Sequence, residues 1–126
     1  MEIDIPEVKA EVEAAFAAYE KALVTNDVPT LEALFWDHER TIRYGIGENL
    51  YGMDAIRAFR SARSPVGLMR RTEKTVITTF GRNFATASTL FYREGNPGKV
   101  GRQQQSWARM PEGWRVVAAH VSLIDE

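Results

Sequence analysis

The 126-residue chain contains no cysteine. Disulfides and thiolate metal centres are therefore excluded. Only two histidines are present, His38 and His120, too few for a conventional zinc site. No apolar run approaches the length needed to cross a bilayer, so no membrane span is expected. The formal net charge is only −1, and the basic residues are scattered. A nucleic-acid partner would need a basic face, and none can be read. Phosphate-loop and dinucleotide glycine motifs are missing, as are the nucleophile elbow and a Ser-His-Asp set. No cofactor or metal is implied. The first residues, MEIDIPEVKAEVE, lack the basic start and apolar centre of a secretory signal. A cytoplasmic location is the expectation.

What the chain does carry is the content of an ordinary globular protein, 44% hydrophobic and 26% charged. One domain over residues 1–126 is expected, long enough to bury a core. Val8, Val12, Ala15, Phe16, Tyr19 and Leu23 form an apolar stripe at helical spacing, predicting a helix from Pro6 to Thr25. Pro6 suits its first turn and Glu7 its positive end. Asp27 is placed to cap a short second helix that carries Leu31 inward. Glu39 to Tyr44 reads as a strand, broken by Gly45-Ile46-Gly47, with a short strand from Glu48 to Tyr51. A third helix, Asp54 to Ala62, presents Ala55, Ile56 and Phe59 inward, and Arg57, Arg60 and Arg63 read as its solvated side.

Four long strands follow. Met69–Phe80 and Phe84–Tyr92 are joined by the hairpin-type turn Gly81-Arg82-Asn83. GRQQQSWAR and GWRVVAAHVS close the chain around Met110-Pro111-Glu112-Gly113. Strand alternation puts Gln103, Gln105 and Trp107 on one face, and Trp114, Val116, Ala118, His120 and Ser122 on one face. Helices set apart from a meander predict an α+β fold. A curved antiparallel sheet would wrap over three helices to form a cone with an internal cavity.

The element order and the closing Gly113, Trp114, Val116, His120, Ser122 pattern resemble the SnoaL-like, nuclear-transport-factor-like cone fold. FAAYEKALVTNDVPTLEALFW, RTIRYGIGENLYG, GRQQQSWAR and GWRVVAAHVS together resemble the AtzH-like family, which includes the HpxZ-like proteins of oxalurate catabolism. That resemblance covers essentially the whole chain. It implies a cofactor-free decarboxylating amidohydrolase acting on a small N-carboxylated urea, such as 1,3-dicarboxyurea, in cyanuric-acid or oxalurate and purine-ureide catabolism. It also implies a catalytic pair, which falls on Tyr19 and Arg43. A non-catalytic accessory partner of an amidase, and a SnoaL-like isomerase or dehydratase, are the rival readings.

Each candidate has two readings. Tyr19 is either a core aromatic or a phenol facing the cavity as general acid or base. Arg43, in mid-strand, either lies outward or turns its planar fork inward to hold a carboxylate. His120 is either a satisfied structural residue or a switchable substrate contact. Gln105 could read a urea group or make a structural bond within the sheet. Arg70 offers a second anion contact or, with Arg71, a solvated pair. Trp107 shapes the cavity wall. The cavity-facing strands show no evident Asp or Glu, which favours a cationic, phenolic pocket for an anionic small molecule; the resemblance implies that this is a small ureide. A homodimer through the outer sheet face, with Arg102, Gln104, Ser106, Arg115 and Val117 on it, completes the expectation.

Overall fold

A computed structural model describes residues 1–126. The elements are α1 (Pro6–Val24), α2 (Val28–Ala33), β1 (Ile42–Tyr44), β2 (Asn49–Tyr51), α3 (Met53–Ala62), β3 (Arg71–Phe80), β4 (Phe84–Tyr92), β5 (Lys99–Met110) and β6 (Gly113–Asp125). The expected order is present, with boundaries within a few residues. Asp27 caps α2 as its position suggests: its carboxylate accepts from the Thr30 amide at 3.3 Å and the Thr30 hydroxyl at 2.6 Å.

The strands form one curved sheet in the order β2-β1-β6-β5-β4-β3. The four long strands pair antiparallel. Short β1 joins β6 in parallel, so the sheet is mixed rather than wholly antiparallel. This parallel pair is possible because α3 and the long hairpins separate β1 from β6 in the chain. β1 extends the sheet to the rim under α3, and this places Arg43 opposite α1.

The core lies between α1 and the concave sheet face. Val8, Val12, Phe16, Tyr19 and Leu23 pack on Trp107, Trp114, Val116 and Ala119, with Leu31 and Phe35 closing the side. Burial of the stripe supplies most of what holds α1 down, since helical stability in a folded protein comes mainly from packing of the apolar face. Trp114 donates its indole N–H to Glu11 at 2.9 Å, tying the polar rim of α1 to β6.

One irregularity in β6 controls which residues reach the interior. Trp107 of β5 faces Val116, but its neighbour Ser106 faces Ala118. Val117 is therefore an extra residue, a β-bulge, and it inverts the alternation beyond it. Before the bulge Trp114 and Val116 point inward; after it Ala119 and Val121 do, and both are buried. Ala118, His120 and Ser122 turn outward. His120 is exposed, with its ring edge-on to Tyr44 at 6.1 Å on the outer face. The expectation that His120 lines the cavity fails for this reason, because strict period-two counting runs through the bulge.

A second close fit occurs at Gly101. A Cβ there would sit 2.2 Å from Cζ of Phe91, so only glycine lets the Phe91 ring lie flat against β5. Gly101→Ala is expected to destabilise the protein by about 1–3 kcal/mol, the usual range for overpacking. Urea unfolding measures it. The same variant should weaken anion binding, because Phe91 carries Arg70 and Arg93.

Candidate functional site

Between α1, α3 and the sheet lies a cavity of about 150 Å³, bordered by Tyr19, Arg43, Glu48, Phe59, Arg63, Leu68, Arg70, Arg93, Gln103 and Val121 among others. That is about five waters' share of liquid volume, at roughly 30 Å³ each. Tyr19 comes from the α1 stripe, so the residue that looked like ordinary core also borders the cavity. Its ring packs on Phe35 with centroids 6.2 Å apart.

Arg43 turns inward from β1. Its Nη1 lies 2.9 Å from Oε2 of Glu48, and its guanidinium sits 5.5 Å from the Phe59 centroid. The cavity thus contains a carboxylate where none was expected. In the sequence Glu48 opens a short strand; the β1–β2 turn swings it back over Gly45. A Cβ on Gly45 would lie 1.7 Å from Oε2 of Glu48, so the missing side chain is what opens the path to Arg43.

Arg70 is buried, not solvated. It pairs with Glu20 of α1 through both Nε and Nη2, donates to Oε1 of Gln103 at 2.9 Å, and stacks 4.5 Å over Phe91. Arg71 alone is the exposed member of that dipeptide. Arg93 lies over the same Phe91 ring at 5.0 Å.

α3 corrects the reading of its arginines. At 100° per residue, each step of three rotates a side chain by about 60° around the helix. Arg57, Arg60 and Arg63 therefore fan across the helix instead of sharing one face. Arg57 stays at the surface, paired with Asp37 and Asp54. Arg60 falls four residues after Ile56 and joins Met53 and Ile56 in the buried stripe. It stacks 4.3 Å over Phe35, the ring that also touches Tyr19. Arg63 follows the last helical residue in an extended conformation and turns into the cavity.

Two of the proposed contacts sit deeper than expected. Gln105 and Trp107 are fully buried, and the indole N–H donates to Oε1 of Gln105 at 3.1 Å. They form the packed floor behind the cavity and do not border it. Gln103, two residues earlier on the same face, is the glutamine that does. Period-two counting identified the face but not how far along it the cavity lies.

The electrostatics are one-sided. Arg43, Arg63, Arg70 and Arg93 border the cavity with Tyr19, and Arg60 is buried nearby; Glu48 is the lining carboxylate and is paired with Arg43, while Glu20 is paired with Arg70. Burial pushes Arg60 down to about 10, with Arg43 and Arg63 adding repulsion and Tyr19 opposing it. Arg63 is lowered by burial first and then by Arg43; Arg93 by burial, then by Arg70 and Arg63. Nε and Nη1 of Arg60, Nε and Nη2 of Arg63, Nε of Arg93 and Nε2 of Gln103 find no hydrogen-bond partner within the chain. These are donors without acceptors, and an anion rich in oxygen acceptors is their chemical complement.

Arg60 makes this cost measurable. A cation whose folded pKa is depressed loses stability at every pH below that value, and the loss fades only as pH rises past it. With Arg60 lowered from the ordinary guanidinium range to about 10, the penalty is roughly 3 kcal/mol at neutral pH. Arg60→Met is therefore expected to raise unfolding stability by about 1–3 kcal/mol in urea melts at pH 7.

A larger groove, about 540 Å³, lies on the outer sheet face, lined by Lys74, Ser88, Arg102, Gln104, His120 and Ser122 among others. Its arginine bonds to Ser122 at the surface, and it has no buried ionic group. The smaller cavity, where burial and charge converge, is the better candidate. No helix is long and apolar enough to cross a membrane.

The AtzH-like family model matches residues 1–126. No curated protein matches the chain. Among solved structures, a protein of unknown function from the DUF3225 family of Pectobacterium atrosepticum is 58% identical, with a TM-score of 0.95 over 98% of this chain and 95% of that one. A cystatin-like fold protein from Burkholderia xenovorans is 51% identical, with a TM-score of 0.96 over 100% of this chain and 98% of that one. An NTF2-like protein of unknown function from Pseudomonas putida is similar in fold alone, at 15% identity and a TM-score of 0.75 over 92% of this chain and 86% of that one. The cone architecture expected from the element order is the one these structures share.

Proposed function

The chain belongs to the AtzH-like family, and on that premise we propose that it is a cofactor-free decarboxylating amidohydrolase for a small N-carboxylated urea of the 1,3-dicarboxyurea type, serving cyanuric-acid or oxalurate and purine-ureide catabolism. The observation that carries this reading is the cavity itself: a tyrosine among four lining arginines with a fifth, Arg60, buried nearby, and too few carboxylates to balance them. Such a site favours a bound anion and stabilises negative charge that develops during reaction.

Arg43, anchored by Glu48, is positioned to hold one substrate carboxylate and the urea oxygen. The C–N bond to that carboxyl carbon breaks, and its electron pair stays on nitrogen. The Tyr19 hydroxyl delivers the proton that nitrogen needs, carbon dioxide departs, and solvent returns the proton to Tyr19. For 1,3-dicarboxyurea the product is the monocarboxylated urea, allophanate. The lining glutamate, Glu48, is engaged with Arg43, and nearby Glu20 with Arg70, so neither is free to activate a water. That favours direct loss of carbon dioxide over attack by hydroxide.

The test is a substrate panel of carboxyureas, oxalurate and biuret derivatives incubated with pure protein, with carbon dioxide and ammonia measured separately. Carbon dioxide from the carboxyureas, without ammonia, is the expected result. No product from any member, with co-purification of an amidase, would point instead to an accessory subunit in the same pathway. Proton exchange into a carbonyl compound would point to an isomerase.

A further inference from the structure

Arg43 and Arg70 are each tied to a glutamate, Glu48 and Glu20. The cavity cations without an acid partner are Arg63 and Arg93. Both border the cavity, both are half-buried, and each keeps at least one buried N–H with no acceptor in the chain. They also sit close enough that the charge of Arg63 depresses Arg93. Two like charges held together out of bulk water are costly unless a ligand anion lies between them.

Their supports differ. Arg63 is held by the extended end of α3. Arg93 lies over Phe91, beside Arg70, on a ring kept flat by Gly101. Arg93 and Arg70 also border a second, outward-facing groove with Gly67, Met69, Arg71 and Tyr92. The same guanidinium thus lies between the surface and the interior.

We propose that Arg63 and Arg93 form a second carboxylate clamp, distinct from Arg43, that makes the cavity selective for substrates with two carboxylates and draws them in from the Arg71–Tyr92 groove. The substrate assignment rests on the proposed function; the clamp rests on the cavity alone. Arg43 holds the end where the bond breaks. Arg63 and Arg93 hold the other end, and Gln103 offers its unpartnered amide N–H between them. The two ends of a dicarboxylated urea then have separate receptors. A monocarboxylated product keeps only one of its two anchors, which favours its release.

Glutarate has the same number of chain atoms between its carboxylates as 1,3-dicarboxyurea and cannot react, so it serves as the probe, with butyrate as its single-charge counterpart. Isothermal titration should show glutarate binding the wild-type protein at least about tenfold tighter than butyrate, the effect of one extra charged anchor. Arg63→Gln and Arg93→Gln should each remove that preference and leave butyrate affinity within about threefold. Neither substitution orphans an acceptor, since the lost N–H groups have no partner in the chain. Arg63→Lys and Arg93→Lys, which keep the charge but lose the fork, should fall between.

Equal binding of glutarate and butyrate by the wild-type protein, or an unchanged preference in both Gln variants, would overturn the clamp. Glutarate selectivity without turnover of any carboxyurea would leave the clamp standing and remove the proposed reaction. Carboxyurea turnover with unchanged KM in both Gln variants would do the reverse.

Discussion

Tyr19→Phe is expected to lower kcat for a carboxyurea by about 10²- to 10⁴-fold, the span attributed to a positioned acid or base. The variant keeps the ring that packs on Phe35 and loses only the hydroxyl at the cavity. Melting behaviour should therefore stay close to wild type, and glutarate affinity should be unchanged. The loss falls on kcat because the proton is needed only as the C–N bond breaks, whereas the substrate is held by the arginines. A modest kcat change with a large KM change would make Tyr19 a binding residue and move the acid elsewhere.

Arg43→Ala has the second largest expected effect, a fall in kcat/KM of about 10²- to 10³-fold, comparable to removing one preorganised donor from a charge-stabilising site. Two injuries combine in this variant. The guanidinium that faces the reacting carboxylate is gone, and Glu48, its partner at 2.9 Å, is left as an unpaired negative charge on the cavity wall. The second injury is separable. Adding Glu48→Gln to Arg43→Ala should recover part of the lost binding but none of the lost kcat. Recovery of both would mean that Arg43 serves only to neutralise Glu48. A double-mutant cycle on kcat and KM resolves the two contributions.

The site was legible in the sequence where one element alone determined the outcome. The α1 stripe placed Tyr19 inward, and the short strand before Gly45-Ile46-Gly47 placed Arg43 at mid-strand; both border the cavity. The element order implied the cone. What escaped was set by register and long-range contact. His120 went to the outer face because Val117 inserts a bulge that period-two counting cannot see. Gln105 and Trp107 lie on the expected face but below the cavity, since alternation gives a side and not a depth. Glu48 reaches Arg43 only because Gly45 leaves room, a signal present in the sequence as glycine at a turn but without a direction. Arg70 finds Glu20 fifty residues away, a contact no local pattern encodes.

The α3 arginines are the instructive case. Arg57, Arg60 and Arg63 repeat every three residues, and that spacing suggested one solvated face. Counting four from Ile56 instead puts Arg60 in the core, where it is found. Apolar periodicity, not charge, decides where Arg60 goes. The arginines that look most wasteful as structure, buried and lacking acids, are the ones that give the cavity its chemistry. A protein tolerates such a cost where function requires it, which is why Arg60→Met should gain stability.

The most direct measurement is ¹³C NMR of 1,3-dicarboxyurea labelled at its carboxyl carbons and mixed with the wild-type protein alone. The account predicts that label appears first as carbon dioxide, before bicarbonate, while a single labelled carboxyl remains on allophanate, and that Tyr19→Phe slows the appearance of both signals by at least about a hundredfold. Label that decays at the same rate with and without protein would contradict it.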